Sequence, residues 1–237
     1  MKKLFQFWEG NIPTDIKADM AKLADKAEEA GWTYEFYDFK RLLNELEDED
    51  VKESLRRMKK YLPVSMFGSA ASDYFRYWCL RNGGLYCDTD VILTTDVFPE
   101  LPNEGVWFTS EQTRRENLNT AVTLANGQEG MLYSRAMQEL AEERLKYTWL
   151  GSYEQCKVNA EYLKANKWSL ISFLGPAFVR NRLPMLINAG VHFLKFPYEI
   201  SSSHDPSSLL FHGGLGSWIA NGTGNKENLY EKLKKSI

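Results

Sequence analysis

Cysteine is scarce in this sequence, with three residues in 237 and no close CxxC pair. That excludes a disulfide-stapled scaffold and a zinc ribbon, and it fits a reducing compartment. Long hydrophobic runs are missing too. The most apolar stretch, around 170–178, is far shorter than the roughly 20 residues a bilayer-spanning helix needs. Met1-Lys2-Lys3 opens the chain, but Glu9 arrives too soon for a secretory leader. These absences lead us to expect a cytoplasmic protein with no membrane span. Nor is there an excess of positive charge: 29 Lys+Arg face 32 Asp+Glu, a net charge of -3. Nucleic acid is therefore a possible partner but not a favoured one. Internal repeats and low-complexity linkers are also lacking.

What the sequence does have is core material. Hydrophobic residues make up 43% and aromatic residues 14%, which excludes a disordered chain. The length suits one domain over 1–237. A short apolar run at 4–8 reads as a buried strand, broken by Gly10, Asn11 and Pro13. Ile16, Met20, Leu23 and Ala27 then recur at helical spacing until Gly31. Residues 32–37 alternate aromatic and polar, as a second strand does. This β–α–β opening predicts a nucleotide-binding α/β fold.

Further along, 39–61 reads as one or two charged helices, and 69–82 as a helix ended by Gly83-Gly84. Strands are expected at 85–88, 91–95, 106–110 and 121–125. Two helices over 130–166 meet near Gly151-Ser152, and Gly175-Pro176 opens another that is interrupted or ended around Pro184. Late strands at 191–196 and 209–212 and a lysine-rich helix at 226–235 complete the reading. The middle helices, about 130–190, are expected to form a helical subdomain beside the sheet.

The stretch that carries chemistry is Ser72-Asp73-Tyr74-Phe75-Arg76, followed by Gly83-Gly84-Leu85-Tyr86-Cys87-Asp88-Thr89-Asp90. Two carboxylates two residues apart after a buried strand can offer hard oxygen ligands to Mg²⁺ or Mn²⁺. Taken alone, Asp88-Thr89-Asp90 equally fits a turn whose aspartates bond nearby backbone N–H groups. The helix before it adds weight. Asp73 and Arg76 are three apart and share a helix face. A helix running back along the strand would bring them level with Asp88, at the carboxyl edge of the sheet where α/β folds bind ligands. The competing reading is a surface ion pair worth little.

With those residues in hand, the sequence resembles the DxD-containing glycosyltransferases of the GT-A fold. That group includes yeast initiating mannosyltransferases, bacterial capsular enzymes and the glucosylating domains of clostridial toxins. The likeness rests on Phe7-Trp8, on Ala71-Ser72-Asp73-Tyr74-Phe75-Arg76 running to Leu80, and on Gly83 to Asp90. It implies a Rossmann-related mixed sheet flanked by helices, with a helical insertion. It implies a hexosyltransferase that moves a sugar from a nucleoside diphosphate donor, UDP-hexose first, to a glycan, lipid or other hydroxyl acceptor with retention. Trp8 would stack on the nucleobase, a core tryptophan being the alternative. Asp73 would bond sugar hydroxyls, and Arg76 the sugar or a phosphate oxygen. Asp90 would bind the metal, with Asp88 reaching ribose, sugar or metal-bound water.

The tail offers a looser match, Phe211-His212-Gly213-Gly214-Leu215-Gly216-Ser217-Trp218. By the same resemblance His212 becomes the third metal ligand, and Ser217 and Trp218 phosphate contacts. A histidine with a purely structural role is the alternative. Glu116-Asn117-Leu118-Asn119-Thr120-Ala121 is a weaker candidate near the sugar, a plain polar loop before a strand being the alternative. His192 and His204 receive no role. Three other functions use similar parts: a nucleotidyl- or phosphotransferase, a sugar-nucleotide-binding module without catalysis, and a transferase acting on a nucleic-acid base. For the last, the basic clusters at 56–60 and 226–235 would supply the surface.

Overall fold

The structure, a computed structural model, describes residues 2–110, 119–165, 167–203 and 205–212. The expected opening is present: strand β1 (Lys3–Phe7), helix α1 (Thr14–Glu29) and strand β2 (Thr33–Tyr37). Helix α1 buries Ile16, Met20, Leu23 and Ala27, the apolar stripe read from the sequence. Helices α2 (Phe39–Glu45) and α3 (Glu49–Tyr61) follow, each capped by an aspartate, Asp38 and Asp48.

Helix α4 spans Val64–Cys79 and ends in a 3-10 turn, Leu80–Asn82. It begins five residues earlier than the sequence suggests. Pro63 sets its start, and Gly68 within the first turns masks the helical signal because glycine is a poor helix former. Strand β3 (Gly84–Cys87) and the short strand β4 (Val91–Leu93) surround the acidic turn. Strands β5 (Gly105–Thr109) and β6 (Asn119–Asn126) lead to α5 (Gly127–Trp149) and α6 (Tyr153–Ala165). Then come α7 (Lys167–Phe173), α8 (Pro176–Arg180) and α9 (Leu183–Asn188), and strands β7 (Phe193–Lys195), β8 (Ser201–Ser202) and β9 (Leu210–His212). Helix α7 is not foreseen, nor is β8, which has only two residues in a serine-rich loop. The expected helix at 226–235 lies outside the described residues.

The main sheet has the order β2-β1-β3-β6-β5-β7. Strand β1 pairs parallel with both β2 and β3, β6 runs antiparallel to β3 and β5, and β7 is parallel to β5. The sheet is therefore mixed, with β6 as the reversed strand. A second sheet, β4-β9-β8, sits beside it. Alternation of side chains divides the core between two faces. On one face Phe5, Phe7 and Tyr86 join α4 and α5, and on the other Leu4, Leu85 and Cys87 join Leu23 and Ala27 of α1. Phe178 and Leu170 belong to the same cluster as Phe75, so the middle helices share the core of the α4 face.

Gly84 is required by a close approach. A Cβ there would come within 2.9 Å of the Lys3 carbonyl oxygen and the Phe5 ring, and its φ is +140°. The Gly-Gly turn thus lets β3 lie tightly against β1. All three cysteines are free and buried. No helix among the described residues is long and apolar enough to cross a membrane.

Candidate active site

The chain goes out from β1 to β2 on one side and returns as β3 on the other, so β1 and β3 flank a topological switch point. Crevices of this kind, at the carboxyl ends of strands, are where open α/β sheets bind ligands. Trp8 follows β1 and Asp88 follows β3, so both stand at that edge.

Tyr86 and Asp88 are two apart, which turns both side chains to the α4 face. There they meet Arg76. Its Nη2 lies 3.1 Å from Asp88 Oδ1, and its Nη1 lies 2.7 Å from Asp73 Oδ1. The guanidinium also stacks 4.5 Å from the Tyr86 ring centroid, while the Tyr86 hydroxyl donates to Asp88 Oδ1 at 2.7 Å. Arg76 is only 3% exposed as a side chain. It works from inside, neutralising two carboxylates and fixing their rotamers. Burial pushes the Asp73 carboxyl up to about 6, against the pull of Arg76. Asp88 is raised as well, first by desolvation, with Arg76 opposing and the Asp90 charge adding.

His212 arrives by a different route. Strand β9 pairs antiparallel with β4, and Val91 stands opposite His212. A backbone ladder therefore sets the imidazole beside the acidic turn, with Nε2 3.5 Å from Asp90 Oδ1. On its other side Asn119 faces Nδ1 at 3.3 Å. One ligand atom each from Asp88, Asp90 and His212 all lie within 4.8 Å of one another. Two hard carboxylates and an imidazole at that separation fit a divalent cation such as Mn²⁺ or Mg²⁺. The described bonds to the Asp88 side chain all use Oδ1, which leaves Oδ2 as its ligating oxygen.

Two positioning side chains escape the sequence reading. Gln6 is fully buried, and its amide donates to the Asp88 backbone carbonyl at 3.2 Å. The Tyr34 hydroxyl donates to the Gln6 amide oxygen at 3.0 Å. A polar residue inside an apolar strand was the available signal, because a buried amide must find partners. Asn119 did appear in the sequence reading, as a polar loop residue. It opens β6, and its side-chain amide lies beside the imidazole.

Trp8 is half-buried, and its backbone N–H pairs with the Tyr37 carbonyl at 3.1 Å. Its indole N–H is buried with no partner among the described residues. The structure thus gathers Trp8, Asp73, Arg76, Asp88, Asp90 and His212 along one sheet edge. Ser217 and Trp218 lie outside the described residues, as does His204. His192 is bound to Glu129, through its backbone N–H and Nδ1, both at 3.0 Å. The basic cluster on α3 is largely answered by acids of its own: Arg57 meets Glu53 at 2.8 Å and Lys59 meets Glu9 at 2.6 Å.

Residues 3–107 match the family described as glycosyltransferase sugar-binding region containing DXD motif. This segment is similar to DxD glycosyltransferase sugar-binding regions. The match supports an enzyme of the transferase class, and Asp88-Thr89-Asp90 is the DxD of the matched segment. The metal-ligand candidate His212 and its neighbour Asn119 lie beyond the matched segment. The fold also resembles a glycosyltransferase involved in the glycosylation of the major capsid of PBCV-1. That likeness has a TM-score of 0.46 and 11% identity, and covers 99% of this chain and 100% of the other. No match is found among curated protein sequences.

Proposed function

We propose that this glycosyltransferase moves a hexose from a nucleoside diphosphate donor, UDP-hexose first, to an acceptor hydroxyl on a glycan, lipid or other compound. The supporting observation is the convergence of Asp88, Asp90 and His212 at the switch-point edge. These three would hold Mn²⁺ or Mg²⁺. When bound, the cation supplies positive charge next to the departing diphosphate.

The chain's own residues then divide the work. Trp8 offers an indole face to the base, and its unpartnered N–H awaits an acceptor. Above its pKa of about 6, Asp73 is a carboxylate able to accept bonds from sugar hydroxyls. Arg76 holds Asp73 and Asp88 in place, so the edge is preorganised before the donor arrives. Ser217 and Trp218 are assigned to the diphosphate by the resemblance alone.

Retention is the expected outcome, by a front-face route. The acceptor oxygen bonds to the anomeric carbon on the side from which the diphosphate leaves. The sugar–phosphate C–O bond breaks, and the acceptor proton passes to the departing diphosphate oxygen. Trapping of a covalent sugar–enzyme ester would contradict this route.

The test is a donor panel. The protein is incubated with Mn²⁺ and each common sugar nucleotide, and free sugar and nucleoside diphosphate are measured. Slow hydrolysis of one donor, lost on chelation, is the expected result. Release of pyrophosphate would mark a nucleotidyltransferase. Donor binding without turnover at high enzyme concentration would mark a binding module. Either result overturns the reading.

A further inference from the structure

Away from the DxD edge, two guanidiniums share one aromatic ring. Arg182, between α8 and α9, lies 3.8 Å from the Phe178 centroid. Arg144 on α5 lies 5.5 Å from the same centroid and 5.5 Å from that of Phe173. Neither makes an ion pair with a carboxylate among the described residues. Arg182 donates only to the Phe178 carbonyl at 3.2 Å, and its Nε is buried with no partner. Both groups are held below the usual arginine range by burial, and the Arg182 charge adds to the effect on Arg144. Two like charges are thus brought together on an apolar platform, partly out of water, with no carboxylate paired to them among the described residues. Such an arrangement costs free energy until an anion arrives.

Its position relates it to the reaction. Phe178 packs 6.1 Å from Tyr77, and Tyr77 lies one helical turn beyond Asp73 on α4. Helices α4 and α5 are joined by the Tyr74 hydroxyl, which donates to Glu142 at 2.9 Å. Buried Tyr77 thus links the Phe178 platform to the turn of α4 that carries Asp73. Planar forks of N–H donors suit phosphate and carboxylate oxygens.

We propose that Arg144 and Arg182, gathered on Phe178, form an anion site that receives a phosphate or carboxylate group carried by the acceptor. This rests on the glycosyl-transfer reading for the acceptor role, though not for the binding itself.

Binding is measured by calorimetry in chelator-containing buffer, with glucose 6-phosphate, glucuronate and glucose as probes. Glucose 6-phosphate or glucuronate should bind at least about tenfold more tightly than glucose, and the stronger of the two identifies the anion. The R144Q/R182Q variant should bind all three within about twofold, and R144K/R182K should regain part of the preference. Slow donor hydrolysis in Mn²⁺ should be unchanged in R144Q/R182Q, which also reports that the variant is folded. Should the double variant fold poorly, R144Q alone is read the same way. In wild-type protein, the preferred anionic sugar should divert the donor sugar from water to itself. No anionic preference in wild type, a preference that survives in R144Q/R182Q, or binding without diversion overturns the proposal. If wild type hydrolyses no donor, the transferase reading fails while the binding comparison is still decided.

Discussion

Arg76 and the Arg144–Arg182 pair show the same side chain used in opposite ways. Arg76 is deeply buried yet answered on both sides, by Asp73 at 2.7 Å and Asp88 at 3.1 Å. Arg144 and Arg182 rest on phenylalanine and pair with no acid among the described residues. A neutralised guanidinium is a fixed part of the frame, and its attraction is already used. One without counter-charge keeps its attraction for something that comes from outside. Around the DxD turn, then, the acids are what remain to meet a ligand. On the middle helices it is the bases.

Breaking the acidic side should give the largest effect. Asp90→Ala is expected to lower metal-dependent turnover at least about 100-fold while circular dichroism stays native. Wild-type turnover in this variant would remove the DxD turn from the chemistry. Next comes the frame. Arg76→Met leaves Asp73 and Asp88 facing each other without compensation, and should destabilise the fold by about 3–5 kcal/mol, read by denaturant unfolding. An unchanged midpoint would mean that the pair is solvent-screened. Asn119→Ala should weaken Mn²⁺ binding by about 10–100-fold in a calorimetric titration, because it frees the imidazole to turn.

A pH series sharpens the comparison further. Burial raises the folded-state pKa of Asp73 to about 6, above the ordinary aspartate value near 4. Between those values the native state holds a proton that the unfolded chain has lost. The contribution of Asp73 to stability is therefore full below pH ~4 and falls as pH rises to ~6, by on the order of 3 kcal/mol. In chelator, unfolding of wild type and Asp73→Asn should converge or cross over that window; parallel curves would show that Asp73 is not desolvated. The smallest effect is expected at the base. Trp8→Ala should raise the donor KM about tenfold, more than it lowers kcat, and an unmoved KM would return Trp8 to the core.

Much of this could be read locally. The periodicity of α1, the alternation in β2 and the Gly-Gly turn before β3 are short-range signals, and they placed the acidic turn at the right edge. Residues joined by distant pairing were harder. Nothing near Asn119 announces that it will face His212, because that contact depends on β4 and β9 finding each other. Gln6 and Tyr34 likewise act through strand neighbours that no spacing rule connects. Arg182 carries no signal in the sequence, since its lack of an acidic partner among the described residues is visible only in space.

The register that sets Val91 against His212 also bears on biosynthesis. As the polypeptide leaves the ribosome, both aspartates of the turn emerge more than a hundred residues before the imidazole. A nascent chain can therefore fold its first β–α–β layers early, yet its cation-holding triad stays incomplete until residue 212 has been added. The three side chains can therefore come together only after β9 has been made and has paired with β4.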